Sequence, residues 1–226
     1  MNNASSVKAA SVGVGLATGL YGISFGALSV AAGLDIWQTQ VLSLLMFSGG
    51  SQFAFVGVLA SGGLTSVPSA IVSAWLLGIR NGFYAVRMAP ILETSGWRKS
   101  VGAQLTIDES TAVSLSREGT GERRKGFWYT GIAVFVFWNL LTLVGAFAGE
   151  LIGNPEQYGL DAAAAAAFVG LVWPRLTSLL SSVSAIIALL VAVFTSLWLP
   201  AGLPVIVAGL VVLALSNLLF KNGVGE

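Results

Sequence analysis

The sequence contains no cysteine and no histidine, and only 9% of its residues are charged. Without cysteine there is no disulfide framework, thiolate metal site or reactive thiol; without histidine there is no imidazole base and no haem ligand of that type. Most membrane redox enzymes and zinc proteases are thereby excluded. The scarcity of charge excludes more. A soluble domain carries roughly 25% charged residues to keep its surface wet. At 9% charged and 55% hydrophobic, a soluble globule of this length would expose apolar surface and aggregate. The formal net charge is +1, with no basic arm, so no nucleic-acid partner is expected. Neither a GxxxxGK[ST] loop nor a strand-borne GxGxxG occurs. Nucleotide-driven pumping is therefore not expected, and neither a cofactor nor a metal is implied.

What the chain does have is apolar length. A spanning helix needs about 20 mostly apolar residues, and the sequence offers about seven stretches near that size. The expected class is an all-α polytopic membrane protein with interrupted helices, residues 1–226 forming one transmembrane domain within the lipid bilayer. Met1 to Ala10 is polar, carries only Lys8 and lacks a cleavage motif, so the first apolar stretch reads as a retained helix. Spans are expected over about Val12 to Ala32, Trp37 to Leu59, Ser66 to Pro90, Phe127 to Gly149, Ala162 to Pro174, Thr177 to Leu199 and Val205 to Phe220. Asp161 reads as an N-cap for the fifth. No internal repeat is evident.

The sizeable polar segment, residues 91–126, holds Arg98, Lys99, Arg117, Arg123, Arg124 and Lys125. An excess of Lys and Arg marks a cytoplasmic connection. Three crossings before it would put the N-terminus on the opposite side. Within it, Ala103 to Leu115 is moderately apolar around Asp108 and Glu109, and fits either a surface helix or a short helix entering the membrane partway.

Glycine supplies 28 of 226 residues. Gly15, Gly19, Gly22 and Gly26 fit close packing of helices through small-xxx-small faces. Ser48-Gly49-Gly50-Ser51-Gln52 fits something else. Two adjacent glycines cost about 2 kcal/mol of helix propensity, and flanking hydroxyls and an amide can replace lost backbone bonds. An unwound helix of this kind can hold a zwitterion. Arg80 lies inside the third apolar stretch, where an arginine costs at least ~2.5 kcal/mol by insertion scales. It either snorkels towards an interface with Asn81 and Arg87, or binds a carboxylate, or pairs with Asp108 or Glu109. Asp108 and Glu109 are in turn either a solvated pair or a proton acceptor and ammonium-binding site.

Four motifs carry a resemblance to a known family: Gly22-Ile23-Ser24-Phe25-Gly26; Phe47-Ser48-Gly49-Gly50-Ser51-Gln52-Phe53-Ala54; Arg80-Asn81 followed by Tyr84; and Thr106-Ile107-Asp108-Glu109-Ser110. In order and over nearly the whole chain, the sequence resembles the AzlC-type permeases, the large subunits of branched-chain amino acid exporters. It departs from them at Ser24, where the family often has proline, and at Asn81, where it commonly has histidine. The resemblance implies export of branched-chain amino acids driven by the proton motive force, a small AzlD-type membrane subunit as partner, and a multi-pass location in the cell inner (cytoplasmic) membrane. The residues expected to bind substrate are Phe25, Gly26, Ser48, Gly49, Gly50, Ser51, Gln52, Phe53, Arg80, Asn81 and Tyr84. Asp108 and Glu109 are the residues expected to couple protons. Two other readings stay open: a channel-like or structural membrane subunit, or a transporter of another small solute. A membrane enzyme is disfavoured, since no nucleophile elbow is present.

Overall fold

The computed structural model describes residues 3–152, 169–170, 172–173, 176–200 and 202–221. The described residues are mostly helical, without strands. In chain order the helices are α1 (Asn3–Ala31), α2 (Ile36–Leu45), α3 (Gly49–Gly62), a 3-10 turn (Gly63–Ser66), α4 (Val67–Leu92), α5 (Trp97–Gln104), α6 (Asp108–Leu115), α7 (Thr120–Ile152), α8 (Leu179–Ser196) and α9 (Leu203–Lys221). Among the described residues, four stretches are long and apolar enough to cross a membrane: Val7–Ala31, Gly49–Leu92, Thr120–Ile152 and Leu179–Ser196. Asp161 and most of the expected fifth span lie outside the described residues.

The centre of the bundle is the α1–α7 pair. Its contacts advance together along both helices. The Thr130 hydroxyl donates to the Ser11 hydroxyl at 2.9 Å, Gly15 faces Ala133, Gly19 faces Phe137, and Gly22 faces Trp138 and Thr142. A Cβ at Gly26 would collide with the Thr142 carbonyl, and one at Gly145 with the Ile23 carbonyl. The two helices therefore run parallel, backbone against backbone, which only glycine permits at this separation.

The second apolar stretch does not cross. After Gly33, which takes a positive φ of 94°, Asp35 and Gln38 form a reciprocal capping box that starts α2. Thr39 bonds Ser29 of α1 at 2.9 Å, and Phe47 reaches Phe135 of α7 at 5.0 Å between ring centroids. After Met46-Phe47-Ser48 the chain turns back. Gln52 on α3 bonds the carbonyls of Leu42 and Ser43 on α2, and Phe53 returns to the level of Phe25. Helix α4 then descends beside α3, with Ser66 bonded to Val58 and Gly78 against Ser51.

A second hairpin enters from the other end. Gly96, at a φ of 58°, precedes α5, whose Gly102 lies against Trp128. Leu105 at the tip meets Gly131, and α6 runs back so that Ser114 bonds the Arg123 carbonyl. Helices α1–α2–α3 and α4–α5–α6 are thus two copies of one plan, a long helix followed by a half-depth hairpin, traversed in opposite directions. The sequence keeps traces of this: Gly22-Ile23-Ser24-Phe25-Gly26 echoes Gly78-Ile79-Arg80-Asn81-Gly82, and Trp37 echoes Trp97.

This arrangement corrects two expectations. The stretch from Trp37 to Leu59 is a hairpin rather than a crossing, and an internal repeat is present. Because α1 and α7 are parallel, the N-terminus lies at the same end as the basic connection before α7, not opposite it. Lys8 accordingly sits over the Tyr129 ring, 5.3 Å from its centroid.

Gly145→Ala is expected to lower the thermal unfolding midpoint of the detergent-solubilised protein, by the equivalent of about 1–3 kcal/mol of overpacking. Gly13→Ala, where nothing lies within 4 Å of the added methyl, should leave the midpoint unchanged.

Candidate functional site

The two hairpin tips meet at mid-bundle, and each ends a helix inside the protein. The last carbonyls of a helix have no intrahelical partner, and leaving them bare in an apolar interior costs several kcal/mol each, on the order quoted for buried polar groups. Two amides meet this need for α2. Gln52 donates to Ser43 at 3.3 Å and adds a second bond, at 3.4 Å, to Leu42, whose carbonyl also accepts the Met46 backbone N–H at 2.9 Å. Gln104, from the tip of the opposite hairpin, donates to Leu44 and Leu45 at 2.9 and 3.2 Å. The end of α5 is served by hydroxyls: Thr106 donates to Gly102 at 2.7 Å, and Ser110 to Leu105 at 2.6 Å. Ser51 and Ser110 hold the same third position of α3 and α6; Ser51 accepts from the Ser48 hydroxyl at 3.2 Å.

With both helices stopped, the N-termini of α3 and α6 open onto one cavity of about 300 Å³. Its polar wall is Ser48, Gly49 and Gly50 from the first hairpin, Asp108 and Glu109 from the second, and Arg80 and Asn81 from α4. Arg80 Nη1 lies 3.0 Å from Asp108 Oδ2, with both side chains about one-quarter exposed. The guanidinium is pressed onto the first turn of α3: a Cβ at Gly50 would stand 2.9 Å from Arg80 Nη2. Glycine at position 50 is what lets the cation approach the backbone. Asp108 and Glu109 occupy the first turn of α6, where exposed amides and the helix dipole favour negative charge. Arg80 Nε and Asn81 Oδ1 are buried without a protein partner among the described residues. Unsatisfied polar atoms at a cavity wall mark a place for water or a ligand.

The remaining wall is mostly apolar, with Phe47, Phe53, Leu77, Ile107, Val134 and Trp138 beside Thr18 and Tyr21. Of the residues singled out in the sequence, Ser48, Gly49, Gly50, Phe53, Arg80, Asn81, Asp108 and Glu109 border the cavity. Phe25 lies behind that wall, fully buried against Phe53 and Trp138. Gly26 is committed to α7, Ser51 and Gln52 to the hairpin itself, and Tyr84 lies outside the lining. Among the described residues no cluster of carboxylates large enough to hold a metal occurs.

Trp138 is the residue that sequence reading missed. It stacks on Phe25 at 6.1 Å and meets Phe53 edge-on at 6.3 Å. It is 3% exposed, and its indole nitrogen is buried without an acceptor among the described residues. Its ring edge lies 3.0 Å from where a Gly49 Cβ would stand. A tryptophan in an apolar stretch gives no distinguishing signal, but its partner Gly49 did. Gly49→Ala is expected to lower the unfolding midpoint, and Trp138→Phe in the same chain to recover at least half of that loss; differential scanning fluorimetry of the two variants checks it.

The model of the AzlC protein family matches residues 13–152. That span runs from within α1 to the end of α7 and includes both hairpins. An uncharacterised membrane protein of Helicobacter pylori strain 26695 is 26% identical over 152 residues, 66% of this chain and 65% of that protein. Its counterpart in strain J99 is 24% identical over the same shares. No solved structure matches. With the family match extending over more than half its length and taking in every residue of the central cavity except Val172, the chain belongs to the AzlC family.

Proposed function

We propose that the protein is a secondary transporter that exports branched-chain, hydrophobic amino acids across the cell inner membrane. In this reading protons are coupled through Asp108 and Glu109, and a small AzlD-type membrane subunit is the working partner. Family membership supports transport in general. The observation that carries the finer reading is the Arg80–Asp108 pair at the wall of a cavity whose lining also holds Phe47, Phe53, Val134 and Trp138. A branched-chain amino acid has the same two faces, a zwitterionic head and a hydrocarbon side chain.

The steps follow from charge balance. An incoming carboxylate competes with Asp108 for the Arg80 guanidinium, which offers a planar fork suited to carboxylates. The freed Asp108 faces the substrate ammonium or takes up a proton. The first-turn amides of α3, reachable because Gly49 and Gly50 carry no side chain, add donors to the carboxylate. The side chain rests against Phe53, Val134 and Trp138. Protonation of Asp108 removes the competitor from Arg80, so proton and substrate occupancy are linked through one carboxylate.

The test is transport in proteoliposomes holding this chain and its small partner. Labelled leucine is expected to exchange across the membrane, and an imposed pH gradient to drive its accumulation. Arg80→Gln should weaken leucine binding about 10- to 100-fold, the loss of one charged hydrogen-bonding partner. Asp108→Asn should leave exchange measurable while removing the response to the pH gradient. No leucine movement with both subunits present in the membrane, or full gradient response in Asp108→Asn, would overturn the reading.

A further inference from the structure

A second cavity, of about 660 Å³, opens at the basic end of the bundle between the end of α4, α5 and the first turns of α7. Its lining divides into two halves. One half carries Arg98, Arg124 and Lys125 against a single lining carboxylate, Glu93. The other carries Val101, Trp128 and Ile132, and Val101 and Ile132 are open to the surroundings at 37% and 50% exposure.

The cations are unequally engaged. Arg124 pairs with Glu93 and donates to the Ile91 carbonyl, and Lys125 pairs with Glu122. Arg98 lies over the Trp97 ring, 5.8 Å from its centroid, and has no carboxylate partner among the described residues. Lys8 adds positive charge beside Tyr129, another lining residue. Trp97, Trp128 and Tyr129 are also among the lining residues, and such aromatics favour the level of the lipid headgroups.

A soluble anion would use only the charged half of this wall, and a neutral lipid only the apolar half. Both halves together fit an amphiphile with an anionic head. We propose that this cavity seats an anionic phospholipid, its phosphate on Arg98 and Lys125 and its acyl chains along Val101 and Ile132. Basic pockets between membrane helices on the cytoplasmic side bind headgroups in this way. The lipid would bridge α5 to α7 and so clamp the base of the second hairpin. Nothing in this proposal depends on which solute the central cavity takes.

The experiment uses the full chain, delipidated in neutral detergent, with thermal unfolding and native mass spectrometry as paired readouts. Phosphatidylglycerol should raise the unfolding midpoint and survive as a bound adduct, whereas phosphatidylcholine and inorganic phosphate should do neither. Arg98→Gln with Lys125→Gln should weaken phosphatidylglycerol binding roughly fivefold for each charge removed, about 25-fold for the pair. Lys99→Gln, on the same helix but outside the lining, should bind as the unaltered chain does. Equal stabilisation by phosphatidylcholine, a shift reproduced by inorganic phosphate alone, or undiminished binding by the double variant would each overturn the proposal.

Discussion

A helix that stops inside an apolar interior must find donors for its last carbonyls, and the central cavity exists because α2 finds them. Gln52 and Gln104 cover Leu42 to Leu45 between them. One amide comes from the returning arm of the same hairpin and the other from the tip of the opposite hairpin. The bond that completes α2 is therefore also the bond that holds the two halves of the repeat at one depth. The second hairpin solves the same problem with the hydroxyls of Thr106 and Ser110. Water, which does this work at the ends of helices in soluble proteins, is replaced by two amides and two hydroxyls.

The chemistry of the cavity follows from that stop. Ending α2 and α5 at mid-bundle leaves the N-termini of α3 and α6 facing the same space, and Arg80 is drawn between them. It lies over Gly50 on one side and on Asp108 on the other. The two hairpins share a plan but not a charge: the position that holds Asp108 at the start of α6 is Gly49 at the start of α3, and the position of Arg80 in α4 is Ser24 in α1. The repeat is symmetric in backbone and asymmetric in electrostatics. One half supplies the ion pair, and the other supplies the glycines against which Arg80 and Trp138 pack.

Some of this was legible from residue types. Two adjacent glycines among hydroxyls and an amide cannot be read as a lipid-facing rod, but the break falls just before them, at Met46-Phe47-Ser48, and the glycines themselves open α3. An arginine within an apolar stretch needs a counter-charge, and Asp108 was one of the two carboxylates available. The direction of the chain was not legible. Trp37 to Leu59 has the composition of a crossing because a hairpin with one face on protein and an exposed apolar outer face needs the same residues as a helix immersed in lipid. Counting it as a crossing put the N-terminus at the wrong end, although Lys8 pointed the right way. The repeat was hidden because two halves that run oppositely share only backbone requirements, so glycines and one tryptophan survive while most side chains differ. Trp138 was hidden because nothing in its own neighbourhood is unusual; its importance lies in what Gly49 lets it touch.

The parallel contact between α1 and α7 makes that pair the most tightly joined part of the molecule. Where two backbones touch with no layer of side chains between them, there is no lubricating interface along which one could slide over the other. The pair is a strut. Were the proposed transporter to open its central space to alternate sides, the displacement would fall on α3 and α4, because α2 and α6 pack chiefly on α7; Arg80 belongs to α4 and Trp138 to α7.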